Sequence, residues 1–255
     1  MRRNDADAAL DAGQAAAADA GVKAMIPFGR PFLDYLLSAL ADAGLTEICL
    51  VIGPEHRAIR DHYTKTVSPE RLRVSFAVQE RPLGTADAVL AAETFAGSDP
   101  FLVLNSDNHY PVAAYRSLTF LAGSGLPVFR RRTLVSLGNI PAERLRRFAV
   151  AVVDSDGFLE RILEKPDETA FESLGENAWI SMNCWRFSPA IFQACREVEP
   201  SPRGELELPR AVDYAVVALG QRFRAVPCGE GVLDLSTRAD IAAVAERLRG
   251  IEVRL

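Results

Sequence analysis

The run "FLVLNSDNHYP", residues 101–111, carries an apolar strand pattern straight into Asp107. Asp and Asn favour turns because their side chains bond nearby backbone, so a turn alone would explain the carboxylate. A second segment, "VPCGEGVLDLST", has the same form. It sets Asp234 at a strand end just before a helix start. For Asp234 the structural alternative is a helix-entry residue near a positive helix end. The chemical alternative is that two strand-end carboxylates, far apart in sequence, meet at one Mg²⁺. Such sites use one or two carboxylates, with phosphate oxygens and waters completing an octahedron, and would hold the carboxylates within about 6 Å of each other. Lysine is scarce among the 29 basic residues: only Lys23, Lys65 and Lys165 are present, the rest being arginine. A position that keeps lysine in so Arg-rich a chain can reflect a need for a compact ammonium rather than a planar fork.

These residues need elements to hold them. "PFLDYLLSALADAG" has apolar residues at helical spacing, Pro31 near its start and Gly44 at its end. "EICLVIG" reads as a buried strand, "PEHRAIRDHYTK" as a polar helix, "RVSFAVQE" as a strand and "GTADAVLAAETF" as a helix. Strands alternating with helices up to residue 105 predict an α/β fold whose sheet is mostly parallel, with helices on both faces. In such sheets ligands bind beyond the carboxyl ends of the strands, where Asp107 falls. The second half has another rhythm. "FAVAVVDSDGFLERILEKP" predicts two strands around an Asp-Gly turn, and "AWISMNCWRF" a further strand before the helix "PAIFQACREV". "ELPRAVDYAVVALG" is a helix, "RFRAVPC" and "GVLDL" are strands, and "STRADIAAVAERLRG" closes the chain as a helix with Thr237 and Asp240 spaced as a capping box. Residues 4–20, rich in Ala and Asp, form a helix or a loose arm. One domain over 1–255 is expected, with a substrate-side subregion in its second half.

Composition narrows the function classes. With 255 residues and 49% hydrophobic residues the chain can bury a sizeable core. A net charge of −5 argues against a nucleic-acid partner. No apolar run approaches the ~20 residues that cross a bilayer. Met1-Arg2-Arg3 is followed by Asp5, Asp7 and Asp11 rather than an apolar signal core. Cys49, Cys184, Cys195 and Cys228 lack metal-type or redox spacing. The expectation is a reduced, cytoplasmic chain.

Taken together, five segments resemble the sugar-1-phosphate nucleotidyltransferases, the thymidylyl- and uridylyltransferase group with a Rossmann-like catalytic domain. The resemblance runs from about Lys23 to Asp240. "KAMIPFGRPFLDYLLSALADAG" is similar to the family's Lys-Pro-x-x-Pro-x-x-Gly-x-Pro block. "VQERPLGTADAV" resembles its base-binding segment, "VLNSDN" its metal strand, "DGFLERILEKP" its Glu-Lys-Pro, and "LDLSTRADI" its second metal segment. The resemblance implies a mixed, mainly parallel sheet of the nucleotide-diphospho-sugar transferase type. Its nucleotide-binding half would cover about 1–125 and its sugar-binding half about 126–230, with the second metal segment and closing helix at 231–255. It implies that Lys23 neutralises phosphate charge, Gln79 bonds the nucleobase edge and Gly84 lets backbone approach the base. Asp107 and Asp234 would bind Mg²⁺, Glu164 would accept from sugar hydroxyls, and Lys165 would grip the sugar phosphate. The substrates implied are a nucleoside triphosphate (dTTP or UTP) and a sugar 1-phosphate, with a homo-oligomer left open.

Each residue has a bland alternative: solvated loop charge for Lys23, turn residues for Gln79 and Gly84, an exposed strand-end pair for Glu164 and Lys165. His109 reads as a surface loop residue, and Arg130-Arg131-Arg132 as a solvated face rather than a phosphate clamp, with Arg146 and Arg147 similar. The chain also departs from the family pattern. Ala24 replaces a proline, and Asn183 stands near the sugar where many relatives have glycine. The opening strand and its Gly-x-Gly-Thr-Arg loop have no counterpart before Lys23. That predicts that Met1 is not the natural start and that an upstream reading frame encodes the loop. Two rival readings follow: a catalytically impaired sugar-nucleotide-binding or regulatory protein, and a metal-dependent glycosyltransferase. The second is disfavoured because Ser106-Asp107-Asn108-His109 lacks Asp-x-Asp.

Overall fold

The structure is a computed structural model that describes residues 12–19, 22–175 and 178–255. The expectation about the chain start, and most of the Ala/Asp-rich segment, falls outside them. What is described of that segment is helical, over Ala12–Asp19.

Eleven strands are formed among the described residues. They are β1 Glu47–Ile52, β2 Arg73–Val78, β3 Phe101–Leu104, β4 Asn108–His109, β5 Ser124–Arg130, β6 Ala149–Val153, β7 Leu159–Leu163, β8 Trp179–Ser181, β9 Cys184–Phe187, β10 Phe223–Cys228 and β11 Leu233–Asp234. β1 and β2 pair in parallel, Glu47 opposite Arg73 through Ile52 opposite Val78. A seven-stranded sheet runs β3-β9-β5-β8-β6-β7, with β10 on the other edge of β5. There β5 and β10 are parallel and the remaining pairs antiparallel. The α/β class and the mixed sheet agree with expectation. The parallel character is narrower than expected, being held by two strand pairs.

The expected "AWISMNCWRF" strand is interrupted. Asn183 has φ 57°, and this left-handed residue parts β8 from β9. The sequence pattern does not reveal β5, because Gly125 and Pro127 are poor strand residues. Both are nonetheless accommodated. A Cβ on residue 125 would meet the Arg224 carbonyl oxygen at 2.5 Å, so the close pairing with β10 needs glycine there.

The helix Phe32–Asp42 is buried from Phe32 to Ala41, the pattern of a helix enclosed on every side. Its buried acidic residue, Asp34, accepts from the Tyr63 hydroxyl at 2.8 Å and sits 3.0 Å from His62 Nε2. At the chain end, Asp240 accepts from the Thr237 N–H at 2.7 Å, as the capping spacing predicts. No helix among the described residues is long and apolar enough to cross a membrane.

Two expectations about basic and imidazole groups are corrected. Arg131 is buried, donates to the Phe171 carbonyl at 2.6 Å and covers that ring; Arg130 lies over Trp179. Neither belongs to a solvated face, because each guanidinium finds an aromatic plane. His109 is a ribbon residue in β4 rather than a surface loop residue, and its ring meets Phe32 edge-on. Burial lowers its pKa to about 4.

Candidate active site

Two short strands bring the distant carboxylates together. β4 and β11 pair antiparallel, Asn108 opposite Asp234 and Leu233 opposite His109. The Leu235 N–H extends the ribbon by donating to the Asp107 carbonyl at 2.8 Å. Each carboxylate is then fixed differently. Asp107 is partly exposed and takes the Lys23 ammonium at 2.8 Å. Asp234 is buried, and Asn139 clamps its backbone: the Asp234 N–H donates to Asn139 Oδ1 at 2.7 Å, and Asn139 Nδ2 donates to the Asp234 carbonyl at 2.8 Å. Asp234 Oδ1 accepts from Asn108 Nδ2 and from the Ser236 hydroxyl, both at 2.9 Å. Burial pushes the Asp234 pKa above the usual carboxylate range. The Arg144 cation opposes that rise, and the Asp107 charge adds to it.

A cavity of about 170 Å³ opens over this ribbon. Its lining comes from the ribbon and its flanks, Asn105, Asp107, Asn108, Asp234 and Ser236, and from Arg147, Phe148, Ala149, Glu164, Lys165, Met182 and Asn183. Five of the eight residues singled out from the sequence thus share one space: Asp107, Asp234, Glu164, Lys165 and Asn183. Lys23 adjoins it through Asp107. Lys165 lies 2.8 Å from Glu164 and 3.6 Å from the buried Glu207, and Glu207 also pairs with Arg203.

Gln79 and Gly84 do not line this cavity. Gln79 follows β2, and its Nε2 donates to the Gly84 carbonyl at 2.9 Å and to Asp87 Oδ2 at 2.8 Å. Gly84 has φ 124°, and a Cβ there would meet the Leu206 backbone at 2.5–2.6 Å. The pair shapes the loop that leads into the helix Thr85–Ala91. Its glycine is required by protein backbone, whatever else approaches.

The sequence reading missed Asn105, Asn108, Asn139, Arg144, Arg147, Glu207 and Ser236. Asn105, Asn108 and Ser236 flank the two aspartates and were within reach of a closer look. Arg144 and Arg147 sit in "AERLRRF", where nothing in the pattern says which arginine turns inward.

The donor set suits a hard divalent cation. Asp107 and Asp234 both line the same cavity, and Asp234 Oδ2, buried 2.9 Å from Arg144 Nη2, has no hydrogen-bond donor. Among the described residues no group of three or more His, Cys, Asp and Glu gathers. Two carboxylates completed by phosphate oxygens and water match the way Mg²⁺ is usually held.

Comparison with known proteins identifies the family and the fold. Residues 19–244 match the nucleotidyl transferase family. The low-salt glycan biosynthesis nucleotidyltransferase of Haloferax volcanii is 32% identical over 199 residues, covering 75% of this chain and 50% of that protein. A glucose-1-phosphate thymidylyltransferase of Streptomyces antibioticus is 31% identical over 191 residues, 73% of this chain and 49% of the relative. The chain therefore spans about half the length of these two. It covers more of a UTP–glucose-1-phosphate uridylyltransferase of Haloferax volcanii, 26% identical over 226 residues, 87% of this chain and 85% of the relative. A solved UDP-glucose pyrophosphorylase complexed with UDP-glucose shares the fold, with a TM-score of 0.71 at 18% identity over 88% of this chain and 89% of the other. The chain is a member of the nucleotidyl transferase family.

Proposed function

We propose that the chain transfers a nucleotidyl group from a nucleoside triphosphate, dTTP or UTP, to a sugar 1-phosphate. The products are a nucleoside diphosphate sugar and pyrophosphate. The observation that carries this is the convergence of Asp107, Asp234, Glu164, Lys165 and Asn183 on one polar cavity. The names of the relatives support the substrate class.

The reaction asks little covalent chemistry of the protein. A sugar phosphate is already an anion, with a second pKa near 6, so no general base is required. Its oxygen attacks the α-phosphorus in line, the bond to the β-phosphate oxygen breaks, and pyrophosphate carries away the electron pair. The site must orient two anions and offset their repulsion. Lys165 binds the sugar phosphate, and Glu164, held beside it, accepts from sugar hydroxyls. Asn183 presents an amide to the sugar. Lys23, resting on Asp107, reaches the nucleotide phosphates. Gln79 and Gly84 form the loop that receives the base. Mg²⁺, held by Asp107 and Asp234, would supply charge neutralisation at the phosphates.

In this reading about 1–125 is the nucleotide half, 126–230 the sugar half, and 231–255 the second metal segment with its closing helix. The four free cysteines suit a reducing cytoplasmic compartment.

A binding or regulatory protein is the second reading, favoured by one observation: Lys23 and Arg144 already neutralise the two aspartates. A panel of sugar 1-phosphates against the common nucleoside triphosphates, with pyrophosphate release as readout, separates the two. Release with one sugar 1-phosphate supports transfer; nucleotide binding with no release across the panel supports the binding protein.

A further inference from the structure

Arg144, in the short helical segment Ala142–Arg147, is only 8% exposed. A guanidinium cannot shed its charge, so once buried it must be paired. Its Nη1 donates to both oxygens of Asp240, at 2.7 and 2.9 Å. Its Nη2 stands 2.9 Å from Asp234 Oδ2. That second contact is an ion pair without hydrogen-bond alignment: Arg144 Nη2 and Nε and Asp234 Oδ2 all remain buried and unbonded. The side chain is therefore anchored on Asp240 and only apposed to Asp234. The one Asp234 oxygen that nothing donates to is the oxygen that faces a fixed cation.

We propose that Arg144 is a positioning residue of the metal site, a resident counter-ion that keeps divalent-cation affinity low until phosphates arrive. The inference rests on the reading of Asp107 and Asp234 as metal ligands. Charge explains its direction. Lys23 and Arg144 offset two of the three carboxylates Asp107, Asp234 and Asp240, so a bare divalent ion meets little net negative charge. A nucleoside triphosphate brings its own, and the ion then enters with the nucleotide. Arg144 also holds Asp234 in place between visits by the metal, which spares the buried carboxylate from standing unpaired.

The test is Mn²⁺ binding to the full chain without nucleotide, read by electron paramagnetic resonance. Arg144→Gln should bind Mn²⁺ at least about tenfold more tightly than the unmodified protein, because a unit charge a few ångströms from the ion is removed. Adding Asp234→Asn to that variant should cancel the gain. Arg144→Lys, which keeps the cation, should stay close to the unmodified protein. If Arg144→Gln does not fold by circular dichroism, Arg144→Met removes the same charge, keeps an apolar stem of similar length in the buried site, and carries the same expectation. A folded Arg144→Gln protein that binds Mn²⁺ no more tightly overturns the inference while leaving the metal site standing, provided Asp107→Ala abolishes binding. Failure of both variants to fold assigns Arg144 to structure alone and also overturns it. Absence of Mn²⁺ binding in every protein, Arg144→Gln included, overturns the inference; if the unmodified protein also fails to bind the Mn²⁺–nucleoside triphosphate complex, the metal reading falls with it.

Discussion

Lys165 and Asn183 are the two non-glycine residues with positive φ among the described residues, at 45° and 57°, and both line the same cavity. Left-handed backbone costs an L-residue roughly 1–2 kcal/mol, least for Asn and Asp. Such strain gathers where side-chain placement matters more than local stability.

Asn183 separates conformation from contact. Asn183→Gly keeps the left-handed backbone at no steric cost, whereas Asn183→Ala does not. Urea unfolding should find Asn183→Ala about 1 kcal/mol less stable than Asn183→Gly. If the amide touches the sugar, both variants should raise KM for the sugar 1-phosphate alike. Equal stabilities would refute the backbone argument, and an unchanged KM would refute the contact.

Lys165→Ala should weaken use of the sugar 1-phosphate far more than nucleotide binding, with KM rising roughly tenfold or more for loss of a charged hydrogen bond. Lys165→Arg should rescue only in part, because the fork is larger and planar. Equal losses for both substrates would assign Lys165 to holding Glu164 and Glu207 in place.

Gly84→Ala tests the loop between β2 and the following helix. The Cβ would fall 2.5 Å from the Leu206 carbonyl oxygen, at a φ of 124° that side chains avoid. The expected result is a loss of about 2 kcal/mol or more in urea unfolding, from strain at a special backbone position, and weakened nucleotide binding. A neutral effect on stability would mean that the Leu206 segment yields.

His109 sets a pH signature. Its pKa is lowered from 6.5 to about 4 in the folded chain, so the unfolded chain binds the proton more tightly. Stability from this group is complete above about 6.5 and is lost as pH falls towards 4, by up to about 3 kcal/mol. His109→Gln should flatten the stability profile in that window, as measured by urea unfolding at pH 4.5, 5.5 and 7. A profile as steep as that of the unmodified protein would place the titration elsewhere.

The sequence disclosed the parts of the site that backbone chemistry marks. Asp107 and Asp234 end apolar runs, so each was visible as a polar residue at a strand end, whereas Asn183 was reached only through the family resemblance, its segment having the pattern of one unbroken strand. Arg144 was not, since the turn "AERLRRF" has three arginines and only packing decides that one faces Asp240. β5 was hidden because its glycine and proline answer to β10 across the sheet rather than to strand propensity. Arg130 and Arg131 looked like solvent charges because the aromatic rings they cover, Trp179 and Phe171, lie forty to fifty residues away. Gln79 and Gly84 were found by segment, yet their bonds are local and leave the base contact to experiment.

The most direct test of the central claim is the initial rate of pyrophosphate release with Mg²⁺, dTTP or UTP, and a sugar 1-phosphate, in the unmodified protein and in Asp107→Asn. The account predicts release that requires the sugar 1-phosphate and that falls by at least about a hundredfold in the variant, as expected when a group stabilising transition-state charge is lost. Release that ignores the sugar 1-phosphate, or that survives Asp107→Asn undiminished, would contradict it.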